Sequence, residues 1–176
     1  MSQPNTQPAA APRGSSAPPV QACQYLTFAL GNEKFAIGIL AIKEIIEYSH
    51  LTTVPMMPAY VRGVINLRGA VVPVLDLFAR FGEATSPVTR KTCVVIVEIA
   101  TAGERHDVGV VVDAVDSVLD IPSDQVEPPP AFGARIATDF IEGMGKVNGR
   151  FVILLDVNSV LAPEEAALLR TEESAQ

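Results

Sequence analysis

The 176-residue chain has no tryptophan, two cysteines, two histidines and few basic residues, and each scarcity narrows what it can do. Thirteen Lys and Arg stand against 20 Asp and Glu, a net charge of −7, and no basic cluster is present to neutralise phosphates, which argues against nucleic acid as a partner. Cys23 and Cys93 are too few and too far apart for a disulfide framework and read as reduced thiols. His50 and His106 have no ligand-type neighbours at zinc spacing. No basic-then-apolar leader opens the chain, and no apolar run reaches the roughly 20 residues that span a bilayer, so a cytoplasmic protein is expected. There is no Gly-x-Ser-x-Gly elbow, and neither Cys sits in a nucleophile motif. Gly143-Met-Gly145-Lys146 is followed by a strand-like run, whereas a phosphate loop continues through Ser or Thr into a helix. The catalytic inventory is close to empty, and counting alone leaves a Ser-His-Asp or Cys-His catalyst open.

Composition divides the chain. Residues 1–23 are rich in Pro, Ala, Ser and Gln, carry one charge (Arg13), and cannot bury enough surface to offset their ordering entropy; they read as a disordered tail. Residues 171–176 read as a flexible C-terminus. The body is rich in Val, Ile and Leu and, with Arg13 set aside, carries about −8.

The body says nearly the same thing twice. Gly63–Leu77 is echoed 80 positions later by Gly143–Val157, with apolar positions, Gly and the terminal Asp in common. Upstream, Ile37–Ile46 matches Val108–Ser117 at an offset of 71, which places nine extra residues of the second copy in its Pro-rich stretch. Two copies of one supersecondary unit imply two similar β modules, at about 35–90 and 91–157 with possible strand exchange. Local signals agree. A hairpin is expected around Gly31-Asn32, a buried strand over Ala70–Leu77, an apolar strand over Thr92–Ile99, a turn at Thr101–Arg105, a strand over Val108–Val112 and another over Phe151–Asp156. Ala41–Tyr48 is ambiguous between helix and strand, Pro58–Gly63 has room for a helical turn, and Asp120–Phe132 reads as a Pro-rich loop. Helices are expected at Val157–Leu161 and Pro163–Leu169. Many short strands with few helices describe two small barrels, a mostly all-β fold.

Three aspartates, Asp76, Asp113 and Asp156, end apolar runs and would be the basis of a metal or acid–base site. Asp76 and Asp156 are equivalent positions of separate modules, which favours structural strand-end roles. Arg68 differs: the second copy has Asn148 there, so the fold does not need the arginine. Its planar fork suits a carboxylate or backbone carbonyls, either across a groove to a partner or in an internal salt bridge between the modules. Ile42, Glu44, Ile45, Ile46 and Tyr48 mix apolar and charged side chains, as a barrel cap or a rimmed docking patch would.

The residues Phe28–Phe35, Ile45-Ile46, Pro58–Leu77 and Val108–Val115 resemble the CheW family of bacterial chemotaxis coupling proteins. The match continues through Pro128–Phe132, the Gly143–Gly145 turn, Phe151–Asp156 and Glu164-Glu165, covering about residues 24–170. The string Asn-Leu-Arg-Gly-x-Val-Val-Pro-Val-x-Asp-Leu at Asn66–Leu77 is its most specific part. The resemblance implies two five-stranded SH3-like barrels packed together with a short C-terminal helix. It implies a non-enzymatic adaptor, with no catalytic residue, metal or cofactor, that couples methyl-accepting chemotaxis proteins to the regulatory domain of the histidine kinase CheA, reaching the membrane only through receptors. An adaptor of another chemosensory pathway, such as twitching motility, is the alternative. Mapped by motif, receptor contact falls on Arg68, Ile39, Val94 and Val118, and kinase contact on Ile42, Glu44, Ile45 and Phe132. Gly38 stands where an acidic residue is common. The phosphoacceptor, nucleotide-binding and receiver segments of CheA and CheV have no counterpart in the sequence.

Overall fold

A computed structural model describes residues 22–49, 51–81, 87–101, 103–129 and 140–160. The chain opens with a hairpin: β1 (Ala22–Leu30) turns through Gly31-Asn32 into β2 (Glu33–Gly38), with Phe28 opposite Phe35. A 3-10 turn at Ile39–Ala41 leads into β3 (Ile42–Glu47). Next come β4 (Val61–Leu67), β5 (Ala70–Asp76) and one helical turn, α1 (Leu77–Arg80). The second half repeats the hairpin, edge strand, strand pair and helical turn, with its 3-10 turn moved to the far end of the edge strand. A hairpin of β6 (Cys93–Thr101) and β7 (Glu104–Val112) is followed by β8 (Ala114–Pro122). A 3-10 turn at Ser123–Gln125 and the two-residue β9 (Val126–Glu127) come before β10 (Ile141–Val147), β11 (Arg150–Leu155) and α2 (Val157–Val160).

Two sheets result, in the orders β8-β1-β2-β11-β10-β9 and β3-β6-β7-β5-β4. Each contains a hairpin from the other half of the chain: β1–β2 sits among second-half strands, and β6–β7 among first-half strands. The two copies have exchanged hairpins. In each sheet the hairpin's second strand lies parallel to the strand preceding the helical turn, β2 with β11 and β7 with β5. These registers also correct the upstream alignment. Ala36 pairs with Leu154 and Gly109 with Val74, so with β5 and β11 offset by 80, Ala36 and Gly109 are equivalent at an offset of 73. Seven extra residues, not nine, therefore separate β8 from β10.

Both sheets curl closed. β8 and β9, separated by one 3-10 turn, pair with β1 at one edge and β10 at the other. In the other sheet β3 pairs with β6, and Thr52, a few residues beyond it, bridges Val64 of β4. The fold is mostly β, consistent with two SH3-like barrels, here called A (containing β1) and B (containing β3). The sixth strand of the first sheet is the end of a bent edge strand.

Each barrel has its own interior. Val72, Val74, Val94, Ile96 and Val111 fill B; Tyr25, Ala36, Ile121, Val152 and Leu154 fill A. A third and larger core lies on the opposite faces of the same strands, where Leu26, Phe28, Phe35 and Ile37 meet Val95, Val97, Val110 and Leu75. The exchanged hairpins are thus buried on both faces, which is why Val94–Val97 is an unbroken apolar run instead of an alternating one.

Several local expectations change. Within Ala41–Tyr48, Ile42–Glu47 is strand, because its β-branched residues pair with β6 as a half-buried edge. Pro58–Gly63 holds a turn at residues 59–60 and then the start of β4. The Pro-rich stretch from Asp120 contains the end of β8 and β9: Pro122 closes β8 opposite Ala22, and Pro128 and Pro129 follow β9. α1, not anticipated, is the 80-residue counterpart of α2 and is set by the same device: Asp76 accepts from the Phe78 and Ala79 amides, as Asp156 does from Asn158 N–H. The Pro163–Leu169 helix and Phe132 lie outside the described residues.

Candidate docking surfaces

The β4–β5 turn makes Arg68 unusual. Arg68 and Gly69 have φ of 53° and 88°, and Asn148 and Gly149, their equivalents, 51° and 79°. Both pairs occupy the left-handed region that a two-residue hairpin turn requires. Asn tolerates this conformation and Arg does so poorly. The first copy therefore keeps an arginine against local preference, as functional positions often do.

Arg68 reaches across the seam of barrel B, from the β4–β5 turn to the edge strand β3. Its Nη1 donates to Glu44 Oε2 at 2.6 Å and its Nη2 to Oε1 at 2.9 Å, a two-point fork. This hydrogen bond and the positive charge hold the Glu44 carboxyl below its ordinary range and push the guanidinium up. The pair lies within barrel B and does not bridge the two modules, and about three-quarters of the arginine side chain remains open to solvent.

On β3, Ile46 packs into the interior of B and Ile42 against the inter-barrel core, while Ile45 is 43% exposed beside Glu44. Lys43 points to Asp107 at 3.2 Å and Glu98 at 3.8 Å. Ile42, Glu44 and Ile45 thus share one strand, and Arg68 is joined to them.

The other receptor-assigned residues do not converge on Arg68. Val118 of β8 is 49% exposed and stands in the row of Leu26 and Ile37, facing the inter-barrel side of A. Registers make Val118 and Ile45 counterparts, so each barrel ends its inter-barrel face on an exposed apolar edge residue. Ile39 is half-buried against the inter-barrel core. Val94 is 1% exposed inside barrel B and offers a partner no surface.

Sequence reasoning passed over five apolar residues that the structure exposes among the described residues, Met56 and Val88 outside the strands and three others within the fold's turns and strands. Leu40 projects fully from the 3-10 turn, and Val71 and Phe151, again 80 apart, stand outward on β5 and β11. The alternation of β5, with Val72 and Val74 inward, is the signal that would have revealed Val71.

A cleft of about 540 Å³ opens at the foot of barrel A, between Tyr25, the turn at Ile39–Ala41, Glu142 and Asp156. Tyr25 Oη donates to Glu142 Oε1 at 3.2 Å; burial first, then the Glu142 charge, pushes the phenol up to about 12. The strand-end aspartates are spent on structure. Asp76 is fully buried and pairs with Arg62 at 2.7 Å; Asp113 accepts from the Gly31 amide at 2.8 Å; Asp156 accepts from Ser159 Oγ at 3.0 Å. Among the described residues no three metal-ligating side chains gather. Burial, then the Glu47 charge, raises the Cys93 thiol, which makes it less reactive.

The CheW-like domain family model matches residues 24–165. The chemotaxis protein CheW of Klebsiella aerogenes is 37% identical over 146 residues, 83% of this chain and 86% of that protein. The CheW of Rhizobium meliloti is 32% identical over 142 residues, 81% and 89% of the two. The crystal structure of the scaffolding protein TtCheW from Thermoanaerobacter tengcongensis superposes with a TM-score of 0.72 at 30% identity, covering 86% of this chain and 94% of that one. With a duplicated barrel, an arginine kept where the second copy has Asn, and these matches over most of its length, the chain belongs to the CheW family.

Proposed function

We propose that this chain is a non-enzymatic chemotaxis adaptor that couples methyl-accepting chemoreceptors to the histidine kinase CheA in cytoplasmic signalling arrays. Relatives named as chemotaxis proteins and a solved scaffolding protein of the same fold support that class of function. The observation that carries the reading is the exposed Arg68 fork on Glu44, beside Ile45. It sets a charged, partner-type residue against an open apolar side chain at the one turn where the two copies disagree. Such a patch suits a protein interface, where arginine beside an apolar anchor contributes most of the binding energy. In this reading β3, with Ile42, Glu44 and Ile45, faces the kinase, and Phe132 adds a contact on the other barrel. Arg68, Ile39 and Val118 serve the receptor, with Val94 acting through packing. Control of the kinase then amounts to a difference in contact free energy between two signalling states, typically about 1–3 kcal/mol.

The test is kinase autophosphorylation in receptor-bearing membranes with and without the protein. A protein-dependent rise that attractant suppresses is expected, and Arg68→Ala should lower it while the protein stays folded. No rise with a cognate receptor and kinase would remove the proposal.

A further inference from the structure

The two barrels treat the same corner in opposite ways. In barrel B, Arg62 donates to buried Asp76 at 2.7 Å and to Tyr48 Oη at 3.1 Å, and its guanidinium lies 5.5 Å from the Tyr48 ring centre. The strand ends around it, Val94, Val110–Val112 and Leu75–Leu77, are buried. In barrel A the equivalent of Asp76 is Asp156, and the equivalent of Arg62 is Glu142. The arginine has been exchanged for a second carboxylate, no cation among the described residues pairs with Glu142 or Asp156, and the corner stands open as the 540 Å³ cleft.

Its walls are apolar, formed by Ile37, Ile39, Leu155 and Val157, with Leu40 projecting fully exposed at the rim. Two carboxylates and the Tyr25 phenol lie on an apolar backdrop that contains no Lys or Arg. A guanidinium fits such a site better than an ammonium does, because its planar fork pairs with carboxylates at two points and its weakly hydrated faces tolerate apolar walls. Barrel B already shows the arrangement built from the chain's own residues.

We propose that the cleft of barrel A is a docking site for an arginine of a partner protein, carried on an apolar segment whose neighbouring side chains meet Ile39 and Leu40. That the arginine belongs to a receptor or kinase rests on the adaptor reading; the preference of the cleft for a guanidinium does not.

The probe is the pentapeptide Ac-Leu-Ala-Arg-Ala-Leu-NH2, titrated against the 15N-labelled full chain, with the citrulline peptide, neutral and of the same shape, as control. The arginine peptide should shift the amides of Tyr25, Gly38–Ala41 and Asn158 saturably and bind at least threefold more tightly than the citrulline peptide. That gap should close in 1 M salt, where the Debye length is about 3 Å. Glu142→Arg, which copies barrel B at an exposed position, should stay folded and abolish the difference. Glu142→Gln, which keeps an acceptor for Tyr25, should reduce it. Equal affinity for the two peptides, or shifts located elsewhere on the protein, would overturn the proposal. With the receptor tip and the kinase regulatory domain measured separately, Glu142→Arg should weaken one partner about tenfold and spare the other. Unchanged affinity for both would overturn the partner assignment. Failure of the wild-type chain to bind either partner, with the peptide still titrating, would instead count against the adaptor reading.

Discussion

Arg68, Asp76 and Tyr25 show how much a single position decides. Arg68 holds φ near 53° for which its side chain is poorly suited, so Arg68→Asn, copying the second barrel, should raise Tm slightly while lowering receptor-dependent kinase activation. A variant that loses both stability and coupling would contradict a functional role for the strain. The same change should release Glu44. Its folded-state pKa is depressed, so the link is present above the ordinary carboxylate range and is lost as pH falls through the depressed value. A carboxyl-carbon NMR titration should find the Glu44 midpoint low in the wild type and restored in the variant. Asp76 and Asp156 cap equivalent helical turns, yet only Asp76 neutralises a largely buried arginine. Asp76→Ala should therefore cost about 3–5 kcal/mol in urea unfolding and Asp156→Ala about 1 kcal/mol. For Tyr25 the phenol is raised, so its neutral form favours the fold below about 10 and that contribution is lost as pH climbs to about 12. Phenolate absorbance should show a late-titrating step that Tyr25→Phe removes and Glu142→Gln brings part of the way back, since burial is the larger cause.

At the scale of the element, the edge strands and turns carry the risk. Barrel B closes where the Thr52 carbonyl meets Val64, and a Cβ on Gly63, at φ 149°, would lie 2.5 Å from that oxygen. Gly69 has φ 88° but open space around it. Gly63→Ala should consequently destabilise by more than 3 kcal/mol, against about 1 kcal/mol for Gly69→Ala; equal costs would mean the barrel closes without that contact. Strand β3 is the element the sequence left ambiguous. Ile42, Ile45 and Ile46 satisfy a helical spacing as well as a strand, and only pairing with β6 decides between them. α1 was hidden for the opposite reason: one turn is too short to show periodicity, and its only marker is the capping Asp76.

The whole molecule is one interleaved unit. Each barrel contains a hairpin from the other half of the chain, and the largest core lies between the barrels. Thermal or urea unfolding should therefore show one transition, coincident for amides of A and B, and a fragment starting at residue 91 should not fold, since its sheet lacks β1–β2. Two separated transitions would show that the barrels are energetically independent. Duplication, β class, the terminal aspartates and the exceptional arginine were legible in the sequence, because they rest on composition, spacing and a comparison of the chain with itself. The Arg68 partner, the burial of Val94 inside a barrel and which strands the modules exchange were not. Those depend on which distant strands meet and how each sheet closes, and local pattern is the same whether a hairpin pairs with its own half or with the other. Tertiary structure alone made that choice, by burying both faces of β1–β2 and β6–β7 in a shared core.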